Sequence, residues 1–129
     1  MTESTVSNLV VLKFGGTSVS SEPNWRSIAA TARDRLARGA RVLIVHSALS
    51  GVTDRLEKLL AAALLGHHAE SLQALRERHL ELARALGIDV HAALAPWFEE
   101  LEQRLADIRS AATISDRARA QVMALGEIL

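Results

Sequence analysis

Residues Val10 to Ser18 read Val-Val-Leu-Lys-Phe-Gly-Gly-Thr-Ser, a short apolar run that leads straight into a lysine, two glycines and two hydroxyls. Those residue types suit phosphate. Gly15 and Gly16 let backbone N–H groups approach an anion with no Cβ in the way, Lys13 brings a positive charge, and Thr17 and Ser18 can donate hydrogen bonds. No Gly-x-x-x-x-Gly-Lys-Ser/Thr occurs and the lysine precedes the glycines, so this is not a Walker loop. A lysine and a glycine turn at a strand end form, on their own, an ordinary solvated surface feature.

A second polar string, Ser47-Ala48-Leu49-Ser50-Gly51-Val52-Thr53-Asp54, precedes a helical pattern. Gly51 falls at the helix start, where N–H groups and the helix dipole favour an anion. The histidines offer less. His67 and His68 are adjacent, cannot share a helix face, and have no carboxylate or cysteine at ligand spacing, so no metal site is expected. His46 reads as a half-buried side chain bonded to a backbone group, and His79, between Glu77 and Glu81, as a helix surface or core edge. Trp25, Trp97 and Phe98 fall on apolar stripes as core or interface anchors.

These strings need elements to position them. Leu9 to Phe14 and Val42 to His46 read as strands, and between them Trp25, Ile28, Ala29, Ala32 and Leu36 recur at helical spacing. Pro23 sits near that helix's start and Gly39 just past its end. A strand, helix, strand connection of this length makes the strands parallel and the crossover right-handed. Parallel strands present their carboxyl ends on one sheet edge, so the loops Lys13–Ser18 and Ser47–Thr53 are expected to face one crevice.

The remainder is helical. Val52 to Leu64 marks one helix between Gly51 and Gly66; Leu72 to Leu86 marks a second ending at Gly87; a third follows Asp89 and carries Val90, Leu94, Trp97, Phe98, Leu101, Leu105 and Ile108. Ala118, Val122, Leu125 and Leu129 mark a fourth, opened by Ser115 or Asp116. Pro96 is expected to bend or restart the third helix. The charged run Arg76 to Arg84 reads as an exposed face.

Composition narrows the classes. With 15 basic and 15 acidic side chains the net charge is zero, which argues against nucleic acid as a partner. No cysteine is present, so disulfides and thiolate metal sites are excluded. Met1 to Leu9 has no basic region before an apolar run, and no apolar stretch reaches membrane-span length; a cytoplasmic protein is the expectation. Abundant leucine with near-zero net charge favours self-association, so a homo-oligomer is expected.

The full string Lys13-Phe14-Gly15-Gly16-Thr17-Ser18-Val19 resembles the opening of aspartate kinases, members of the amino-acid kinase family, and Ser47 to Asp54 resembles the segment that begins their substrate site. Gly126-Glu127-Ile128-Leu129 is similar to the family's Gly-Glu-x-Leu. The resemblance implies an α/β fold, a parallel-sheet αβα sandwich of the amino-acid kinase type, incomplete here, with a helix-rich second half. Residues 1–129 would be the N-terminal segment of a kinase domain, with a βαβ unit over 9–46 and a helical region over 51–129. It also implies transfer of the γ-phosphoryl group of ATP, with Mg²⁺, to the side-chain carboxylate of L-aspartate.

By the same resemblance, Lys13 contacts the phosphates and the transferring group, Gly15 and Gly16 bring amides to them, and Thr17 and Ser18 line that loop. Ser47 and Thr53 contact the aspartate, Gly51 holds the turn between them, and Glu127 pairs with the substrate ammonium. Asn24-Trp25 and the wording around Ser47 resemble the aspartokinases fused to a diaminopimelate decarboxylase. Family members continue past the position of Leu129 into further strands, a nucleotide-base pocket and regulatory domains, so the isolated chain is expected to be nearly inactive. Two other readings stay open: another carboxylate or carbamate kinase of the superfamily, or a helical interaction or regulatory module without turnover.

Overall fold

The structure, a computed structural model, describes residues 8–129. Met1 to Ser7, the bulk of the segment read for a leader, lie outside the described residues. The chain divides into two compact units, residues 1–47 and 48–129.

The first unit is the βαβ motif. Strand β1 (Leu9–Phe14) and strand β2 (Arg41–His46) pair in parallel, with Leu9 opposite Arg41 and Phe14 opposite His46. β2 starts one residue earlier than its β-branched run because the Arg41 N–H donates to the Asn8 carbonyl at 2.9 Å. Between the strands runs helix α1 (Glu22–Ala37). Its start is written locally: the Ser21 hydroxyl accepts from the Asn24 N–H, Pro23 occupies the first turn where a missing N–H costs nothing, and Glu22 complements the helix dipole. At its end the chain turns through Gly39 at φ +78°, a conformation that strains any residue with a Cβ. Ile28 is the buried residue of α1, and α1 packs on β2. Along β1 the alternation holds, with Val10, Leu12 and Phe14 half-buried and Leu9, Val11 and Lys13 exposed.

The second unit is four helices: α2 (Val52–Leu65), α3 (Ala69–Leu86), α4 (His91–Ala111) and α5 (Asp116–Ile128). Helix α2 is central, packed by the other three. Its stripe Val52, Leu56, Leu59, Leu60 and Ala63 is fully enclosed by Leu72 and Leu75 of α3, Phe98, Leu101, Leu105 and Ile108 of α4, and Val122 and Leu125 of α5. The spacing of three and four residues puts all five on one face, while Asp54, Glu57, Lys58 and Ala61 stay exposed on the other. Ser115 caps α5 by accepting from the Ala118 N–H at 3.1 Å. Among the described residues no helix is long and apolar enough to cross a membrane.

Four sequence expectations are corrected here. Helix α4 runs through Pro96 without restarting; the proline is exposed near the amino-terminal end and removes a single ladder bond. Trp97 is 40% exposed, on the flank of the stripe that Phe98 heads, so it is no core residue. His79 is buried at 5% exposure, edge-on to Phe98 with ring centroids 5.7 Å apart. The run Arg76 to Arg84 is only in part an exposed face, for Arg76 lies over the Phe98 ring at 5.2 Å.

The His79 ring tautomer follows from its partner. The Leu75 carbonyl, 2.9 Å from Nδ1, can only accept, so Nδ1 carries the proton and Nε2 is left enclosed without a partner. Burial pushes the imidazole below its ordinary value of about 6.5; the backbone bond opposes this and the Arg78 charge adds to it. A depressed folded-state pKa means that the unfolded chain takes up the proton first. The contribution of His79 to stability is therefore complete above about pH 6.5 and falls away as pH drops through the folded-state value, by up to about 1.4 kcal/mol per pH unit. Urea denaturation from pH 8 to pH 5 should show this acid-side loss, and His79→Gln should flatten it; an equal slope in both proteins would remove His79 as its source.

Candidate functional site

In the first unit the lysine-glycine turn and the serine that follows β2 leave the same edge of the sheet. The Ser47 N–H donates to the Phe14 carbonyl at 3.1 Å, extending the parallel ladder one step beyond the strands. Lys13, opposite Val45 in the register, is exposed at the end of β1. After Phe14 the chain closes a tight turn, with the Ser18 and Val19 N–H groups both donating to the Gly15 carbonyl, at 2.9 and 3.3 Å. Among the described residues the Gly16 and Thr17 N–H groups have no acceptor. A Cβ built on Gly15 would meet nothing within 4 Å, so the turn borders open space. Successive free amides beside a lysine form a concavity suited to an anion.

Three residues that sequence reasoning did not place in the site hold this turn. The Ser20 hydroxyl donates to the Gly16 carbonyl at 2.5 Å, Asn24 Nδ2 to the Thr17 carbonyl at 3.1 Å, and Trp25 Nε1 to the Val19 carbonyl at 2.7 Å. The Gly16, Thr17 and Val19 carbonyls are thereby engaged, which leaves the Gly16 and Thr17 N–H groups on offer. The signal available in sequence was the polar pair Asn24 and Ser20 around the α1 start. His46 is exposed, with Nδ1 3.2 Å from the Ser47 carbonyl and its ring edge-on to Trp25.

Gly51, Thr53 and Glu127 belong to the second unit, and that unit brings them together. Gly51 adopts φ +79° and ends the loop that enters α2; no side chain caps the helix, and the Thr53 and Asp54 N–H groups have no acceptor among the described residues. Glu127, 79 positions along the chain, closes on the same loop: one of its carboxylate oxygens accepts from the Ala48 N–H at 3.1 Å. Gly126 makes this approach possible. It is buried against α2, and a Cβ there would lie 2.7 Å from Leu56 Cδ1 and 3.3 Å from Val52 Cγ1. A further contact, from Arg78 of α3 to the Ser50 carbonyl at 2.9 Å, was not foreseen.

Among the described residues no group of three His, Cys, Asp or Glu is placed to hold a metal ion. A cavity of about 270 Å³ lies between α3 and α4, lined by Arg76, His91, Phe98 and Glu102 among others, and none of the motif residues borders it.

The sequence pattern of the amino acid kinase family matches residues 8–129. The chain is 32% identical over 120 residues to an aspartokinase of Chlamydia muridarum, covering 93% of this chain and 25% of that protein, and equally similar to the aspartokinase of Chlamydia trachomatis serovar D. It thus spans about a quarter of the length of the curated relatives it matches. In fold it is similar to E. coli aspartokinase III in complex with aspartate and ADP, with a TM-score of 0.73 at 24% identity over 95% of this chain and 26% of that one.

Because Gly126 has no room for a side chain, Gly126→Val should lower the unfolding free energy by roughly 1–3 kcal/mol, read by chemical denaturation, through overpacking against Leu56 and Val52. The same variant should speed amide exchange at Ala48, whose acceptor is displaced with α5. Unchanged stability would mean that the helices separate freely there.

Proposed function

The chain belongs to the amino acid kinase family, and from that premise we propose that the protein carrying it is an aspartate kinase, moving the γ-phosphoryl group of ATP to the side-chain carboxylate of L-aspartate to give 4-phospho-L-aspartate. The observation that supports this most is the hydrogen bond from the Ala48 N–H to Glu127. It joins the Gly-Glu pair near the chain's end to the loop that holds Gly51 and Thr53, as a pocket for an amino-acid substrate requires: N–H groups at a helix start for a carboxylate, and a carboxylate for the ammonium.

A substrate carboxylate with a reference pKa of about 3.9 is already ionised near neutrality, so the nucleophile needs no general base. What has to be managed is repulsion between two anions and the charge that spreads over the phosphoryl oxygens, which leaves positioning and electrostatics as the means. The residues present fit a nucleotide's phosphates: the exposed Lys13, the unpartnered Gly16 and Thr17 amides, and the open space beside Gly15. Mg²⁺ would arrive bound to the triphosphate and neutralise part of its charge. Lys13 is assigned the transferring group, Gly15, Gly16, Thr17 and Ser18 the phosphates, Ser47, Gly51 and Thr53 the aspartate carboxylates, and Glu127 the ammonium, through the oxygen not given to Ala48.

The same reading assigns the protein to the first step towards lysine, threonine and methionine, as a cytoplasmic homo-oligomer, with fusion to a diaminopimelate decarboxylase as its finest detail. The zero net charge and the Asn24-Trp25 pair support these parts.

The test is ATP-dependent hydroxamate formation from aspartate and hydroxylamine by the full-length polypeptide that contains this chain. Lys13→Ala should cut kcat by about 10²–10³, the usual cost of one transition-state donor, with the circular dichroism spectrum unchanged. Turnover of a different acid alone would assign the protein to another kinase of the family. No turnover, with a defined oligomer in light scattering, would assign it to the non-catalytic class.

A further inference from the structure

Within the second unit the segment from Ala48 to Thr53 is held at two points by side chains from distant helices. At one, Glu127 of α5 takes the Ala48 N–H. At the other, Arg78 Nη2 of α3 donates to the Ser50 carbonyl at 2.9 Å, and Gly51, the next residue, takes its left-handed turn into α2. Neighbouring core residues fix where Arg78 stands, since Leu75 and His79 beside it on α3 are buried. Its Nε is enclosed without a partner, and no carboxylate among the described residues forms an ion pair with it. The guanidinium therefore keeps its full charge beside the loop.

A carboxylate entering this loop meets N–H groups from the uncapped start of α2, and these attract it. A backbone carbonyl turned to it would do the opposite. Holding the Ser50 carbonyl with a cation removes that repulsion, sets the peptide plane before Gly51, and adds a positive potential of the same sign as the amino-terminal helix dipole.

We propose that Arg78 is a positioning residue of the carboxylate-substrate loop: it fixes the Ser50 carbonyl and so orders the Gly51 turn, and its unpaired charge favours the incoming anion without touching it. This inference rests on the aspartate kinase reading. It goes further by assigning substrate affinity to a side chain outside every motif in the sequence.

The test uses the full-length polypeptide with Arg78→Met, which keeps the apolar stem and loses charge and donors, and Arg78→Lys, which restores the charge and one donor. In Arg78→Met the KM for aspartate should rise roughly tenfold, the equivalent of one charge-assisted hydrogen bond, with the KM for ATP and kcat within about twofold of wild type. Arg78→Lys should recover part of the loss. Hydrogen exchange read by mass spectrometry should quicken several-fold in the peptide covering residues 48–53 of Arg78→Met, with the peptides of α3 and α4 unaltered.

An unchanged aspartate KM, both KM values rising together, or faster exchange spread evenly over the helices would overturn the proposal, the last marking a plain stabilising contact. A wild-type protein that does not turn over aspartate defeats the kinase reading instead. The exchange measurement then still decides whether Arg78 holds the loop, and unchanged exchange at residues 48–53 overturns it.

Discussion

The absence of a side chain at Gly126 is the constraint on which the meeting of α5 with the loop before α2 depends. With nothing but hydrogen at that position, α5 lies directly on Val52 and Leu56 of α2, and the next residue, Glu127, is carried to the loop that opens α2. A Cβ there would lie 2.7 Å from Leu56 Cδ1 in a fully enclosed core, so either that side chain or the helix must give way. The cost of a glycine inside a helix, about 1 kcal/mol against alanine, is accepted at the place where proximity matters more than helix propensity.

A second constraint is electrostatic. In both units several loop carbonyls are engaged, while the Gly16 and Thr17 N–H groups in one and the Thr53 and Asp54 N–H groups in the other have no acceptor among the described residues. Ser20, Asn24 and Trp25 engage the carbonyls of the glycine turn, and Arg78 engages that of Ser50. Surfaces made of free amides, with Lys13 in one unit and Arg78 in the other, favour anions although the chain has no net charge. Local arrangement sets the field. For a proposed reaction between two anions this is the relevant property, and composition could not reveal it.

Much of the architecture was legible in sequence because its causes are local. The alternation of Val10, Leu12 and Phe14, the Ser21 and Ser115 caps, and the glycines at 39, 51, 66 and 87 act within a turn or two of chain, and each appears where the pattern puts it. The misreadings come from contacts between elements. His79 looked like an edge residue between two glutamates, yet α4 brings Phe98 over it and encloses the ring. Trp97 and Phe98 are neighbours of equal apolarity, and which of them is buried depends on how α4 is rotated against α2, a matter of packing outside that helix's own pattern.

The sequence by itself determined the parallel βαβ unit, the helical remainder and the residue types of the Lys13–Ser18 and Ser47–Thr53 loops, since strand alternation, helix stripes and turn glycines are written in short-range periodicity. Only the tertiary structure decided that Glu127 meets Ala48, that Arg78 meets Ser50, and that Asn24 and Trp25 brace the glycine turn. Side chains that converge from 79 and 28 positions away do so because buried stripes lock the helices at particular rotations and separations, and no short window of sequence encodes a rotation of one helix against another.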